Sequence, residues 1–221
     1  MNTPNSVAPR SACVRFKTRS GDTVRLVDLL DESVRRMEES LIERNNEGKG
    51  SIPEGEIRLT AEKIGYGAIK YFDLSRNPTS NYIFSYDAML DTRGNTGVYL
   101  MFAKARLGSI ISKAREAGVD VGDLEKAGGQ EIELGHVTER TLAIEVLKFP
   151  DVMETVLEGL APHKVCEYLY NMSLVATSFV TECRIMENGV PNKSRLLLCS
   201  IASNIMGACF DLLAIECPER I

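Results

Sequence analysis

Two stretches of this chain set cations beside groups that hold phosphate or stack on rings. In the first, Lys17 and Arg19 flank Thr18, and Ser20-Gly21-Asp22-Thr23 follows as a turn. Charge-assisted hydrogen bonds to phosphate are strong, so a loop with two cations and a hydroxyl suits a polyphosphate. A basic turn in solvent has the same composition. The second stretch runs from Thr92 to Arg115 and holds Arg93, Lys104, Arg106, Lys113 and Arg115 without a single Asp or Glu. The chain as a whole has 31 acidic and 26 basic residues and a net charge of −5, so its overall field does not attract polyanions. Local clustering has to do so.

Helical geometry separates the residues of this second stretch. At about 100° per residue, Leu100, Ala103, Leu107, Ile110, Ile111 and Ala114 form an apolar face. Tyr99, Phe102, Arg106 and Lys113 fall on a stripe beside it. Rings next to cations suit single-stranded nucleic acid, since bases stack on aromatic side chains for about 1–3 kcal/mol each while cations meet phosphates. The same pattern fits a wide core face whose edge is covered by snorkelling cations.

Metal chemistry is not expected. The six cysteines, at 13, 166, 183, 199, 209 and 217, include no CxxC pair. His163 and Cys166 can share a helix face, but two ligands are too few for structural zinc. Most of the cysteines sit in apolar surroundings, as reduced thiols do when they serve as small hydrophobes.

The elements that must position these residues read as helices. The spacing of Val24, Val27, Leu30, Val34 and Met37 predicts a helix over about 23–44, with Asp22 or Thr23 as its cap. The polar, Gly-rich run 45–53 reads as a loop tip. A second helix is expected over 56–71, carrying Ile57, Ala61, Ile64, Ala68 and Ile69 on one side. Residues 73–93 are irregular, yet they hold Tyr82, Phe84, Tyr86 and Met89, which predicts a compact packed loop.

Further helices are expected over about 95–117, 138–148, 150–160, 162–182 and 193–214, with a short helical piece inside 118–135. Pro150 and Pro162 suit first-turn positions. Strand-like alternation is nearly absent. With 44% hydrophobic and 26% charged residues, 221 residues suffice for an ordinary globular core. No apolar run approaches the roughly 20 residues a membrane span requires. Residues 1–14 read as a disordered leader and not as a secretory signal. The fold expected from these patterns is one all-α bundle behind a short tail.

The ordered motifs resemble arginyl-tRNA synthetases, class I aminoacyl-tRNA synthetases, from about Arg15 to Ile221. Residues 15–30 are similar to the family's junction between its ATP-binding catalytic domain and its helical DALR-type anticodon-binding domain. Ile64-Gly65-Tyr66-Gly67-Ala68-Ile69-Lys70-Tyr71-Phe72 resembles the pattern before the family's anticodon-region loop, and Asn81 to Asp87 resembles the loop itself. Gly94 to Leu100 with Ala103-Lys104-Ala105-Arg106 is similar to the next helix. Leu147-Lys148-Phe149-Pro150, Cys166 to Tyr170, Arg195 to Cys199 and Pro218-Glu219-Arg220-Ile221 complete the series.

The resemblance implies a remnant of the catalytic signature loop at 15–22 and a helical anticodon-binding domain at 23–221. Lys17, Arg19 and Ser20 would be that remnant, supporting ATP during arginine activation. The residues expected to contact arginine tRNA are Tyr82, Asn95, Tyr99, Phe102, Arg106, Lys113, Phe179 and Ile221. The family's intact enzyme uses ATP and arginine. No cofactor is expected for this chain, which is not expected to catalyse arginine-dependent pyrophosphate exchange alone. Expected partners are tRNA, with a catalytic half in a split ligase or other synthetases for a derived interaction protein, and no membrane and no DNA, in the cytoplasm.

Some positions depart from the family pattern. Lys104 stands where a His is common, Pro78 where an Arg is typical, Val180 where a Tyr follows the first aromatic, and Ile221 where Met is common. Losing one stacking or hydrogen-bonding side chain costs about 1–3 kcal/mol, enough for roughly tenfold in affinity. The alternative readings are a non-catalytic helical interaction protein derived from the synthetase and one half of a split ligase.

Overall fold

The computed structural model describes residues 25–50, 52–126, 132–187 and 189–221. The expected leader, the loop at 15–22 with Lys17, Arg19 and Ser20, and the proposed cap at Asp22 or Thr23 lie outside them. In chain order the elements are α1 (Leu26–Asn46), a 3-10 turn (Glu54–Glu56), α2 (Ile57–Leu74), α3 (Tyr86–Met89), α4 (Gly97–Glu116) and α5 (Val121–Lys126). They continue with α6 (Val137–Leu147), α7 (Phe149–Gly159), α8 (Pro162–Glu182), β1 (Met186–Glu187), β2 (Val190–Pro191) and α9 (Lys193–Leu212).

The helical periodicity is realised as packing. Val34, Met37 and Leu41 of α1 are buried against α2, which buries Ile57, Ala61, Ile64, Ala68 and Tyr71. Val27, expected on the same face of α1, is exposed. Small residues set the α1–α2 approach: a Cβ on Gly65 would meet the Ser33 carbonyl carbon and the Val34 backbone nitrogen at 3.2 Å. The helix α2 in turn packs on α4, α4 on α8 and α9, and α6 on both α8 and α9. Pro162 opens α8, and Pro150 lies in the first turn of α7.

Three expectations need correction. The loop after α8 forms a two-residue antiparallel ribbon, Met186 opposite Pro191, turned by Gly189 at φ 82°. The helix α9 is long and apolar enough to cross a membrane by length and composition, although it packs as a core helix with Leu196, Cys199, Ala202, Met206 and Cys209 buried. Finally, α4 is buried on two sides. Leu100, Leu107 and Ala114 lie on the predicted face, but Val98, Met101 and Ala105 are buried as well. The second buried side faces α2, where Met101 packs against Gly67. Between the two sides remains the stripe that carries Tyr99, Phe102, Arg106 and Lys113.

The loop before α4 is the compact unit that its aromatics predict. Phe72 at the end of α2 meets Tyr82 and Phe84 edge-on at 5.5 and 5.7 Å, and Phe84 meets Tyr86 at 4.9 Å. Beyond α9, Ala214 adopts a left-handed φ of 53° and turns the chain back. Ile215 is then buried, and the tail ends at Ile221.

Candidate nucleic-acid interface

The stripe on α4 forms one wall of an open cleft of about 410 Å3. Tyr99, Phe102, Ala103, Ala105, Arg106 and Ser109 line it from α4. Arg44 enters from the last turn of α1, Thr177 from α8, Thr92 from the preceding loop and Ile221 from the chain end. Four elements distant in sequence therefore meet over the aromatic and basic stripe.

Local chemistry fixes the start of α4. The Thr96 hydroxyl accepts from the Tyr99 backbone N–H at 3.1 Å and donates to the Asp91 carbonyl at 2.6 Å, so one side chain caps the helix and holds the loop. Asp91 also accepts from the Arg93 backbone N–H at 2.9 Å through Oδ1. The Tyr99 ring leans edge-on against Tyr170 of α8 with centroids 6.2 Å apart. The Phe102 ring carries the Arg44 guanidinium over one face, 4.5 Å from its centroid.

The cations of the acid-free stretch divide into three groups. Arg115 is paired with Asp120 at 3.0 Å and Arg93 with Asp91 at 3.4 Å. Lys104 is half buried, with its aliphatic stem against α9 at Gly207. Arg106 and Lys113 are exposed, and among the described residues neither has an ion-pair partner. An unpaired exposed cation beside rings can meet phosphate without first breaking an internal pair.

Of the residues expected to contact RNA, the structure brings Tyr99, Phe102, Arg106 and Ile221 to the cleft. Lys113 lies on the same helix, exposed in its last turn. The others are elsewhere. The Tyr82 hydroxyl donates to Asp73 at 2.7 Å, and its ring lies under the Arg76 guanidinium at 5.5 Å, so it belongs to the aromatic loop cluster. Partial burial, followed by the neighbouring Asp73, raises its phenol above the usual range. Asn95 is exposed, and its side-chain carbonyl accepts from the core residue Tyr71.

Phe179 is corrected most plainly: it is fully buried and presents no ring to a ligand. It shares the register of Val165, Leu169, Met172 and Ala176, all buried on α8, and that periodicity was readable in the sequence. Val180 beside it is half buried. Pro78 follows Asn77 at an exposed loop tip, where the Asn77 side-chain carbonyl accepts from the Thr79 N–H at 3.0 Å.

Arg44, Thr92, Ser109 and Thr177 line the cleft without having been singled out from sequence. Only Arg44 carried a signal, as a cation in the last turn of a helix, where it also complements the dipole. Among the described residues no group of three or more His, Cys, Asp or Glu comes together to hold a metal ion.

The comparisons with known proteins agree with this architecture. The family model for the DALR anticodon binding domain matches residues 100–221. The family model for the catalytic domain of class I tRNA synthetases (R) matches residues 11–86. The chloroplastic/mitochondrial arginine–tRNA ligase of Arabidopsis thaliana is 47% identical over 208 residues, which cover 94% of this chain and 31% of the relative. The cytoplasmic arginine–tRNA ligase of Xenopus tropicalis is 42% identical over 216 residues, 94% of this chain and 32% of its own.

Among solved structures, the arginyl-tRNA synthetase of Plasmodium falciparum superimposes with a TM-score of 0.77 at 35% identity, over 90% of this chain and 34% of that one. The Thermus thermophilus arginyl-tRNA synthetase gives 0.70 at 25% identity, over 91% and 33%. The chain thus spans about a third of the length of the curated relatives it matches.

Proposed function

Because the chain belongs to the DALR anticodon-binding domain family, and corresponds over most of its length to the C-terminal part of arginyl-tRNA synthetases, we propose that its cleft binds the anticodon loop of arginine tRNA. One observation carries this reading: Tyr99, Phe102 and the unpaired Arg106 share a cleft with Ile221. Unpaired bases of a loop can enter an open cleft and stack on rings, whereas bases inside a duplex cannot. Arg106, with Lys113 farther along α4, meets the backbone phosphates on either side.

The remaining members of the expected set act indirectly in this proposal. Asn95 holds the start of α4, and Tyr82 stiffens the loop before it. The helical unit is proposed to begin at residue 23; the packing of α1 on α2 and of α2 on α4 supports one continuous bundle, while the catalytic-domain family model runs through α1 and α2 to residue 86. The relatives are ligases, and we propose that aminoacylation with arginine and ATP belongs to the longer protein. Lys17, Arg19 and Ser20 would support the nucleotide there. The relatives include cytoplasmic and organellar enzymes, and a cytoplasmic setting is the one we propose.

Filter binding with arginine tRNA and a second, unrelated tRNA tests the proposal. The expected result is preference for arginine tRNA, with affinity falling steeply as salt rises, because phosphate contacts release counterions. Equal weak binding to both tRNAs would refute it.

A further inference from the structure

In the free protein the Phe102 ring is already covered on one face. The Arg44 guanidinium lies over it, 4.5 Å from the centroid. Stacking of a base directly on that face is therefore blocked unless Arg44 leaves. Arg44 itself is half buried and lines the cleft. Its Nε is shut off from solvent and has no hydrogen-bond partner among the described residues. The guanidinium is seated on the ring beneath it: among the described residues no carboxylate lies within ion-pair distance of Arg44, and Glu47 feels its charge only from farther away.

We propose that Arg44 is a nucleotide-contacting residue of the cleft, and that an unpaired base of the RNA loop stacks on its guanidinium while Phe102 serves to position it. This rests on the reading of the cleft as an anticodon-loop site. A guanidinium is planar, is more weakly hydrated than an ammonium, and stacks on aromatic faces, so it continues the stack from ring to base. It also places a positive charge against the base without the cost of breaking an ion pair. Lysine keeps the charge but has no plane to stack. The substitution Arg44→Lys therefore separates stacking from simple attraction to phosphate.

The test uses the full 221-residue chain and an arginine tRNA transcript. Variants Arg44→Lys, Phe102→Leu, their double variant and Tyr99→Ala are compared, with thermal melts to verify folding. A parallel series carries 2-aminopurine in the tRNA anticodon loop, whose fluorescence is quenched when it is stacked. The expected result is a loss of about tenfold in affinity for Arg44→Lys. Quenching at one loop position should be lost with it, and the double variant should bind no worse than the more affected single variant.

Wild-type affinity and quenching in Arg44→Lys, with Tyr99→Ala still impaired, would overturn the role of Arg44 and leave the cleft assignment standing. Strictly additive losses in the double variant would also overturn it, because the ring would then not be acting through Arg44. Unchanged binding in every variant would remove the cleft assignment itself.

Discussion

The Tyr71 hydroxyl, in the core of the bundle, donates to the side-chain carbonyl of Asn95 at 2.6 Å, with the Cys166 carbonyl 3.1 Å away. This ties α2 to the loop that starts α4 and brings α8 to the same point. Burial drives the Tyr71 phenol far above its usual range, so it remains a donor at any ordinary pH. Replacing it with Phe leaves two acceptors without their donor. Tyr71→Phe should lower unfolding stability by about 1–3 kcal/mol in urea titration. RNA affinity measured well below the transition should change far less.

A second tie joins α6 to α9. Glu139 is buried and accepts from Arg195 at 2.7 Å and from the His136 backbone N–H at 2.8 Å. His136 accepts in return from the Thr138 N–H, completing a capping box with histidine in the usual place of Ser or Thr. Burial pushes the Glu139 carboxyl up, but the His136 N–H and Arg195 outweigh it and hold the group below 4.5. A depressed folded pKa gives stability that is present above the unfolded value and is lost as pH falls through the folded one. The urea midpoint should therefore fall as pH drops below 4.5, and Glu139→Gln should flatten that part of the decline. The same variant should cost about 1–3 kcal/mol at neutral pH, since Arg195 loses its buried partner but keeps Glu187 at 3.6 Å and the Arg184 carbonyl at 2.8 Å.

Gly97 opens α4 where that helix presses on α2. A Cβ there would lie 3.1 Å from Ala68 Cα and 3.3 Å from the Gly67 carbonyl, both backbone atoms that cannot step aside. Alanine is the better helix former, yet Gly97→Ala should destabilise the protein by about 1–3 kcal/mol through overpacking. Gly94→Ala is a different case, with φ at 78° and open space around it. Strain alone governs that position. Circular-dichroism melts of both variants give the comparison.

Burial raises the thiols of Cys166, Cys199 and Cys209 to about 12, and that of Cys217 to about 11. Little thiolate exists at neutral pH under those conditions, and thiolate is the reactive form. Mass spectrometry after brief iodoacetamide treatment should find these four unmodified in the native protein and modified in denaturant.

The helices were largely legible because their signals are local. Apolar spacing gave α1, α2, α8 and α9 to within a few residues, and the acid-free run from Thr92 to Arg115 marked the helix that lines the cleft. What sequence could not supply was the opposite wall. Arg44 and Thr177 reach Phe102 and Arg106 only through tertiary packing, and Ile221 was expected there through the family likeness alone. Ala103 and Ala105 show the same limit in α4. A single helix wheel describes one buried face, whereas this helix is gripped by α2 on one side and by α8 and α9 on the other. Phe179 was misplaced for a different reason. Its register with Leu169, Met172 and Ala176 pointed to the core, and the family likeness of its neighbourhood pointed to the surface.

The central claim is that the cleft between α1, α4, α8 and the chain end holds an anticodon loop. Chemical footprinting of arginine tRNA with the wild-type chain and with Tyr99→Ala and Arg106→Glu tests it most directly. Protection confined to the anticodon loop, and lost in both variants, is the predicted result. Protection of the acceptor stem, or a loop footprint that both variants retain, would contradict it.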